Sequence, residues 1–256
     1  MRNDRLHRLI QRGDLVAVRE LLISREGAQI NAPDRQGYPP LIRAVESPVA
    51  TPEMIQLLLD SGADIHQVSE PQGYLPTDAI RKALGRGDPA IIRLLVERGG
   101  DLHYQAKDGY SALIDAVHSR DVIRDKRLIE LLRLLIAYGV DLNGITTYGE
   151  SGLRVLSWLG RFDAVKLLLE AGADEGQLQW TPLLRAIALG SLAEVQRELA
   201  TGGPMEARDW WQRTAWLLAI SPRPVCSSSG VPIPVPAAGA ESRCFFMPSR
   251  TITARC

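Results

Sequence analysis

The chain has 256 residues, 45% hydrophobic and 23% charged, which is apolar enough to build a core and excludes wholesale disorder. Thirty Lys and Arg balance thirty Asp and Glu, so no global positive field exists for phosphate backbones or anionic lipid, and neither nucleic acid nor a membrane is an expected partner. No stretch approaches the ~18 apolar residues of a spanning helix, and residues 1–8 mix acids and bases with no secretory apolar run after them.

The chain then repeats itself. At the N-terminus, Arg2, Arg5, Arg8 and Arg12 suit a polar capping helix around Leu6 and His7. Apolar runs follow at Leu21-Leu22, Leu57-Leu58-Leu59, Leu94-Leu95-Val96, Leu134-Leu135-Ile136 and Leu167-Leu168-Leu169. The last four run into Gly62-Ala63-Asp64, Gly99-Gly100-Asp101, Gly139-Val140-Asp141 and Gly172-Ala173-Asp174, while Gly27 and Gly202 mark degenerate turns at either end. From Gly27 the steps are 35, 37, 40, 33 and 30 residues. About ten residues after most of these turns a helix opens: Pro39-Pro40-Leu41, Leu75-Pro76-Thr77, Ser111-Ala112-Leu113, Ser151-Gly152-Leu153, Thr181-Pro182-Leu183 and Thr214-Ala215-Trp216. Ser or Thr at an N-cap and Pro at the first helical position are start signals.

These residues resemble the ankyrin repeat, with its period of about 33 and its T-P-L-H-x-A opening. The resemblance covers residues 4–220 as six to seven units. It implies an all-α solenoid of stacked helix-turn-helix units with short β-hairpin-like loops, in which each pair covers its apolar stripe with its neighbours. The N-terminal cap repeat is 4–37, and the last repeat is incomplete from 213. Extra residues around Pro48 to Pro52, Leu84 to Arg86 and Arg120 to Arg127 predict inter-helix insertions, the last of them an extended loop. The turn between Asp174 and Thr181 is about three residues short, which predicts a stunted hairpin.

From Ser221 the periodicity stops. Pro222, Pro224, Pro232, Pro234 and Pro236 arrive with Ser227-Ser228-Ser229-Gly230, and no leucine follows Leu218. Residues 221–256 read as a Pro/Ser-rich disordered tail or as a frame-shifted end; the abrupt loss of pattern favours the latter. Either way Trp216 and Leu217 stand at an unprotected end, which predicts a sticky protein. Cys226, Cys244 and Cys256 all lie in the last 31 residues, which is no disulfide framework and fits a cytoplasmic protein. Only Lys82, Lys107, Lys126 and Lys166 are lysines, an arginine bias that points to a bacterial source.

No nucleophile elbow, zinc helix, phosphate loop or dinucleotide fingerprint is present, so no catalytic residue, metal or cofactor is expected. Ser151 reads as an N-cap. His7 holds the histidine position of the repeat opening, where the resemblance implies a bond to turn backbone. His66 and His103 hold equivalent positions after their turns. Arg12-Gly13-Asp14 and Arg86-Gly87-Asp88 coincide with inter-helix turns and are not read as adhesion motifs. The cluster Asp121, Arg124, Asp125, Lys126 and Arg127 reads as a solvated helix face rather than a pocket.

Function then falls to the positions that the scaffold leaves free. The residue before each helix opening reads Tyr38, Tyr74, Tyr110, Glu150, Trp180 and Arg213, four of six aromatic in a chain that is 5% aromatic. Trp210 and Trp211 precede the last unit, and Trp158 lies on a first helix. The resemblance places these residues on the hairpins and first helices of a concave face, where aromatic and arginine side chains make strong contacts. The tyrosines can also serve stability by stacking. The expected function is a monomeric, non-catalytic module that binds a protein partner; the alternative is an inhibitor or immunity-type protein that neutralises a bacterial enzyme or toxin.

Overall fold

The computed structural model describes residues 5–24, 29–69, 76–119 and 127–220. The described residues all fall within one compact unit. Tyr74, Asp121, Arg124, Asp125, Lys126, most of the expected loop at 120–127, and the whole Pro/Ser-rich tail with its three cysteines lie outside the described residues.

Helices come in antiparallel pairs: α1 (Arg5–Arg12) with α2 (Leu15–Ile23), α3 (Pro40–Glu46) with α4 (Pro52–Asp60), and α5 (Ala79–Arg86) with α6 (Pro89–Glu97). After these come α7 (Ala112–Val117) with α8 (Arg127–Ala137), α9 (Gly152–Trp158) with α10 (Phe162–Glu170), and α11 (Pro182–Leu189) with α12 (Leu192–Ala200); α13 (Ala215–Ile220) ends the described chain. A short 3-10 helix, Glu175–Leu178, precedes α11. Among the described residues there is no strand, only the isolated bridges Ser69 to Thr77 and Gln105 to Ser111.

The pairing follows from local chemistry. Asp14, Asp78, Asp88, Ser151, Thr181 and Ser191 accept backbone N–H groups at helix starts, and Pro begins α3, α4, α6 and α11, as N-capping and first-position geometry require. Asp14 and Asp88 are the aspartates of the two Arg-Gly-Asp triplets, so both triplets are occupied by capping. The inner helices α1, α3, α5, α7 and α9 stack in one row, and the outer helices α2, α4, α6, α8 and α10 stack in a second. The two rows close over one core that runs from Leu6 to Leu178 and includes Ile10, Ile42, Ile55, Leu95, Leu132 and Leu168. No single pair could bury these stripes alone.

The residues Leu84 to Arg86, expected as an insertion, instead wind as the last turn of α5. Leu84 is fully buried there, and Arg86 donates to the carbonyls of Val45, Ser47 and Ala50 on the preceding pair. Burial of an apolar side chain and three satisfied carbonyls outweigh a loop at that point.

Between pairs the chain projects as fingers closed by one recurring backbone bond: Asp34 N–H to Tyr38 O (3.0 Å), Ala106 to Tyr110 (2.8 Å), Thr146 to Glu150 (2.8 Å) and Asp209 to Arg213 (3.0 Å). The fourth residue of each turn is left-handed: Gly37 (φ 86°), Gly109 (83°), Gly149 (80°) and, in the last, Gln212 (62°). A side chain in that region costs about 1–2 kcal/mol, of which glycine's extra chain entropy cancels ~0.5–1 kcal/mol. Gln212→Gly is therefore expected to stabilise the protein by about 0.5–1 kcal/mol, seen as a higher urea midpoint with unchanged slope; a lower midpoint would contradict the turn geometry. Before α11 the short turn leaves no finger. Its seven residues take up the 3-10 helix and a left-handed Gln179 instead.

Candidate partner-binding face

The fingers and inner helices form one surface whose side chains are tied to each other in sequence order. His7 on α1 donates from Nε2 to the Tyr38 carbonyl at 3.0 Å and is 5% exposed. Asp34 Oδ1 accepts the Gln36 and Tyr38 N–H groups at 2.9 and 3.0 Å, while its Oδ2 accepts Arg43 Nε at 2.7 Å. Burial works against the Asp34 charge, yet the Arg43 hydrogen bond, followed by the backbone bond from Tyr38, holds its pKa below the usual carboxylate value. Arg43 also lies 4.1 Å over the Tyr38 ring and bridges to Glu46 at 3.1 Å; Lys82 meets the same Glu46 at 2.8 Å. Tyr38 is thus half-buried with a cation on its face.

One step along, Asp115 on α7 accepts Arg81 Nε at 2.8 Å and the Tyr104 hydroxyl at 2.5 Å. Burial, then the Asp115 charge, pushes the Tyr104 phenol well above its ordinary value, so it stays a neutral donor. Arg81 is partly desolvated, which opposes its charge, but Asp115 outweighs that and raises it. Tyr110 is half-buried, its ring 5.5 Å from His118, and His118 Nε2 lies 3.4 Å from Glu150 Oε2. The cations of these inner helices are met by carboxylates of this chain, so the middle of the face is charge-balanced.

The far end is different. Because no finger precedes α11, the finger at 209–213 reaches past that pair and seats directly on α9. Trp210 N–H donates to the Leu178 carbonyl at 3.1 Å, and Trp211 Nε1 to the Arg154 carbonyl at 2.8 Å. Arg213 is 6% exposed: it pairs with Asp209 at 2.6 Å and donates to Ser157 O at 3.0 Å and Ser157 Oγ at 2.7 Å. Arg154 lies 4.3 Å over the Trp210 ring and donates to the carbonyls of Gln177 (2.9 Å) and Gly149. Trp211 sits between Trp210 (4.6 Å, edge-on) and Trp158 (5.0 Å, tilted). Trp158 remains 54% exposed and Tyr148, on the neighbouring finger, 60%.

Of the residues singled out from the sequence, Trp158, Trp210, Trp211 and Arg213 come together in this seam. Tyr38 is placed with Arg43, and Tyr110 and Glu150 meet through His118. Trp180 lies apart, half-buried and edge-on to Phe162 at 6.2 Å. The partners that position these residues were not singled out. Arg43, Arg81 and Arg154 carry a detectable signal, a basic residue three or four places into an inner helix; Ser157 and Asp209 carry none, because their pairing depends on a finger that skips one unit.

A line of paired helices joined by projecting fingers, covering its core only by stacking, defines a helical-repeat protein. The family model for ankyrin repeats, in three copies, matches residues 79–177. The chain is 31% identical over 156 residues to the B-cell lymphoma 3 protein homolog of Mus musculus, which covers 60% of this chain and 33% of that protein. It therefore spans about a third of the length of that curated relative. The solved ankyrin repeat domain of Bcl-3, described as a unique member of the IkappaB protein family, superposes with a TM-score of 0.57 at 23% identity, covering 85% of this chain and 94% of that one. Residues 79–177 thus carry ankyrin repeats, and the described chain shares the stacked-pair fold of that solved domain. No helix among the described residues is long and apolar enough to cross a membrane.

Proposed function

We propose that residues 1–220 form a non-catalytic binding module that holds one protein partner against the fingers and inner helices. The observation that carries this reading is Trp158, a 54% exposed indole standing on an inner helix beside Trp210 and Trp211. Large, stiff aromatic side chains in such places supply contact area at low entropic cost. Tyr38 and Tyr110 extend the surface, Tyr74 and Trp180 are assigned to it by their sequence register alone, and Glu150 and Arg213 set the position of the fingers. On this reading the chain works as a monomer in the cytoplasm, with neither nucleic acid nor a cofactor.

The test has two stages. The intact chain is used to capture its partner, and the purified partner is then titrated calorimetrically against wild type, Trp158→Ala and Tyr110→Ala. Trp158→Ala is expected to weaken binding about 30-fold, the ~2 kcal/mol of an interface hot spot, with its thermal midpoint close to wild type. Undiminished affinity in both variants would overturn the assignment of this face.

A further inference from the structure

The last described helices are joined to the array by side chains rather than by a shared core. Leu183, Leu184, Ala215 and Leu218 form a separate core, edged by Phe162, Trp180, Ile187 and Val195, while the last buried residue of the main core is Leu178 and only the half-buried Trp180 packs on both. α12 has no buried residue. In the outer helices before it, the residue four places ahead of the turn glycine is Leu58, Leu95, Leu135 or Leu168, each fully buried; in α12 that place holds Glu198. α12 therefore cannot extend the outer row. What remains is the lean of α11 on α10 with Trp180 against Phe162, and the seated finger at 209–213.

We propose that this finger is a latch. Seated on α9, it joins residues 179–220 to the array; released, it lets them move as a unit while α1 to α10 stay folded. The bonds are of a kind that let go together. Arg213 and Asp209 are 6% and 1% exposed, and their ion pair closes the finger on itself, so lifting the finger strips the guanidinium of both Ser157 bonds at once and carries the pair into water, while a half-open state leaves that buried guanidinium short of two partners. Trp211 Nε1 and Trp210 N–H leave the Arg154 and Leu178 carbonyls in the same movement. The hinge lies at Gln179, left-handed at φ 54°, where the main core has ended. Segments with few buried apolar contacts, held by a small number of polar bonds, open as cooperative units below the free energy of global unfolding.

Hydrogen exchange on the full chain tests this, with wild type, Arg213→Met and Trp211→Phe compared peptide by peptide. In wild type, amides in 183–200 and 204–218 are expected to exchange together and ahead of those in 79–117. Arg213→Met should speed both C-terminal segments by about tenfold or more and leave 79–117 unchanged, with Trp211→Phe acting in the same direction and less. Two results would overturn the latch: faster exchange confined to 204–214 with 183–200 unaltered, or acceleration spread evenly over the whole array. If Arg213→Met does not fold, the wild type and Trp211→Phe decide, since uniform protection across 79–218 in both is incompatible with a separate unit.

Discussion

Leu168→Ala is expected to lower the stability of the array by about 2–5 kcal/mol, the cost of lost apolar burial plus the cavity left behind in a core that relaxes only in part. Leu168 is fully buried in α10 and belongs to the continuous core, with α8 stacked on one side of its helix and α11 on the other. Interior units are stabilised by interfaces on both sides, so a cavity here weakens the pair itself and its couplings. Glu198→Ala supplies the contrast at the same register position. α12 buries nothing, so that substitution is expected to stay within about 0.5 kcal/mol of wild type, as for surface changes generally. Urea unfolding followed by far-ultraviolet circular dichroism measures both. A Leu168→Ala loss below about 1 kcal/mol would mean that the stacked core is not what carries the fold.

The same comparison explains how far the architecture was readable from the sequence. The apolar runs ending three residues before Gly62, Gly99, Gly139 and Gly172 reappear on the buried faces of α4, α6, α8 and α10. Pro39, Ser111, Ser151 and Thr181 reappear as residues that start inner helices. These signals are local: an N-cap, a glycine turn and an apolar period act within one turn of helix, and so they survive without knowledge of neighbours. The stunted turn after Asp174 was also visible as a shortage of residues. Its consequence was not, because the vacancy beside α9 is filled from about sixty residues further along in space-filling terms, by Trp211 reaching Arg154 and Arg213 reaching Ser157 across sequence separations of 57 and 56. Arg213 shares its register position with Tyr38 and Glu150, yet its side chain is turned into the stack; register places a residue on the face, and the length of the neighbouring finger decides whether it points out of it.

Gly109→Ala is expected to cost about 1.5–4 kcal/mol, although it adds a single methyl group to a half-exposed turn. Two separate penalties meet there. The residue sits at φ 83°, where an L side chain costs about 1–2 kcal/mol, less the ~0.5–1 kcal/mol that losing glycine's chain entropy returns. A Cβ would also lie 2.8 Å from both the Ile145 carbonyl oxygen and Thr146 Cα of the next finger, and forcing backbone apart in a packed contact costs a further ~1–3 kcal/mol. That contact is the joint between adjacent fingers: Thr147 donates to the Asp108 carbonyl from its N–H at 2.9 Å and from Oγ1 at 3.3 Å. Gly99→Ala isolates the first penalty, since Gly99 is left-handed at φ 96° with nothing within 4 Å of an added Cβ; it should lose only about 0.5–1 kcal/mol. The difference between the two variants in urea unfolding reads out the finger-to-finger contact, which sets the spacing of Tyr110 and Glu150 along the face. Equal losses would show that the fingers do not touch in solution, and that their side chains are not held in register for a partner.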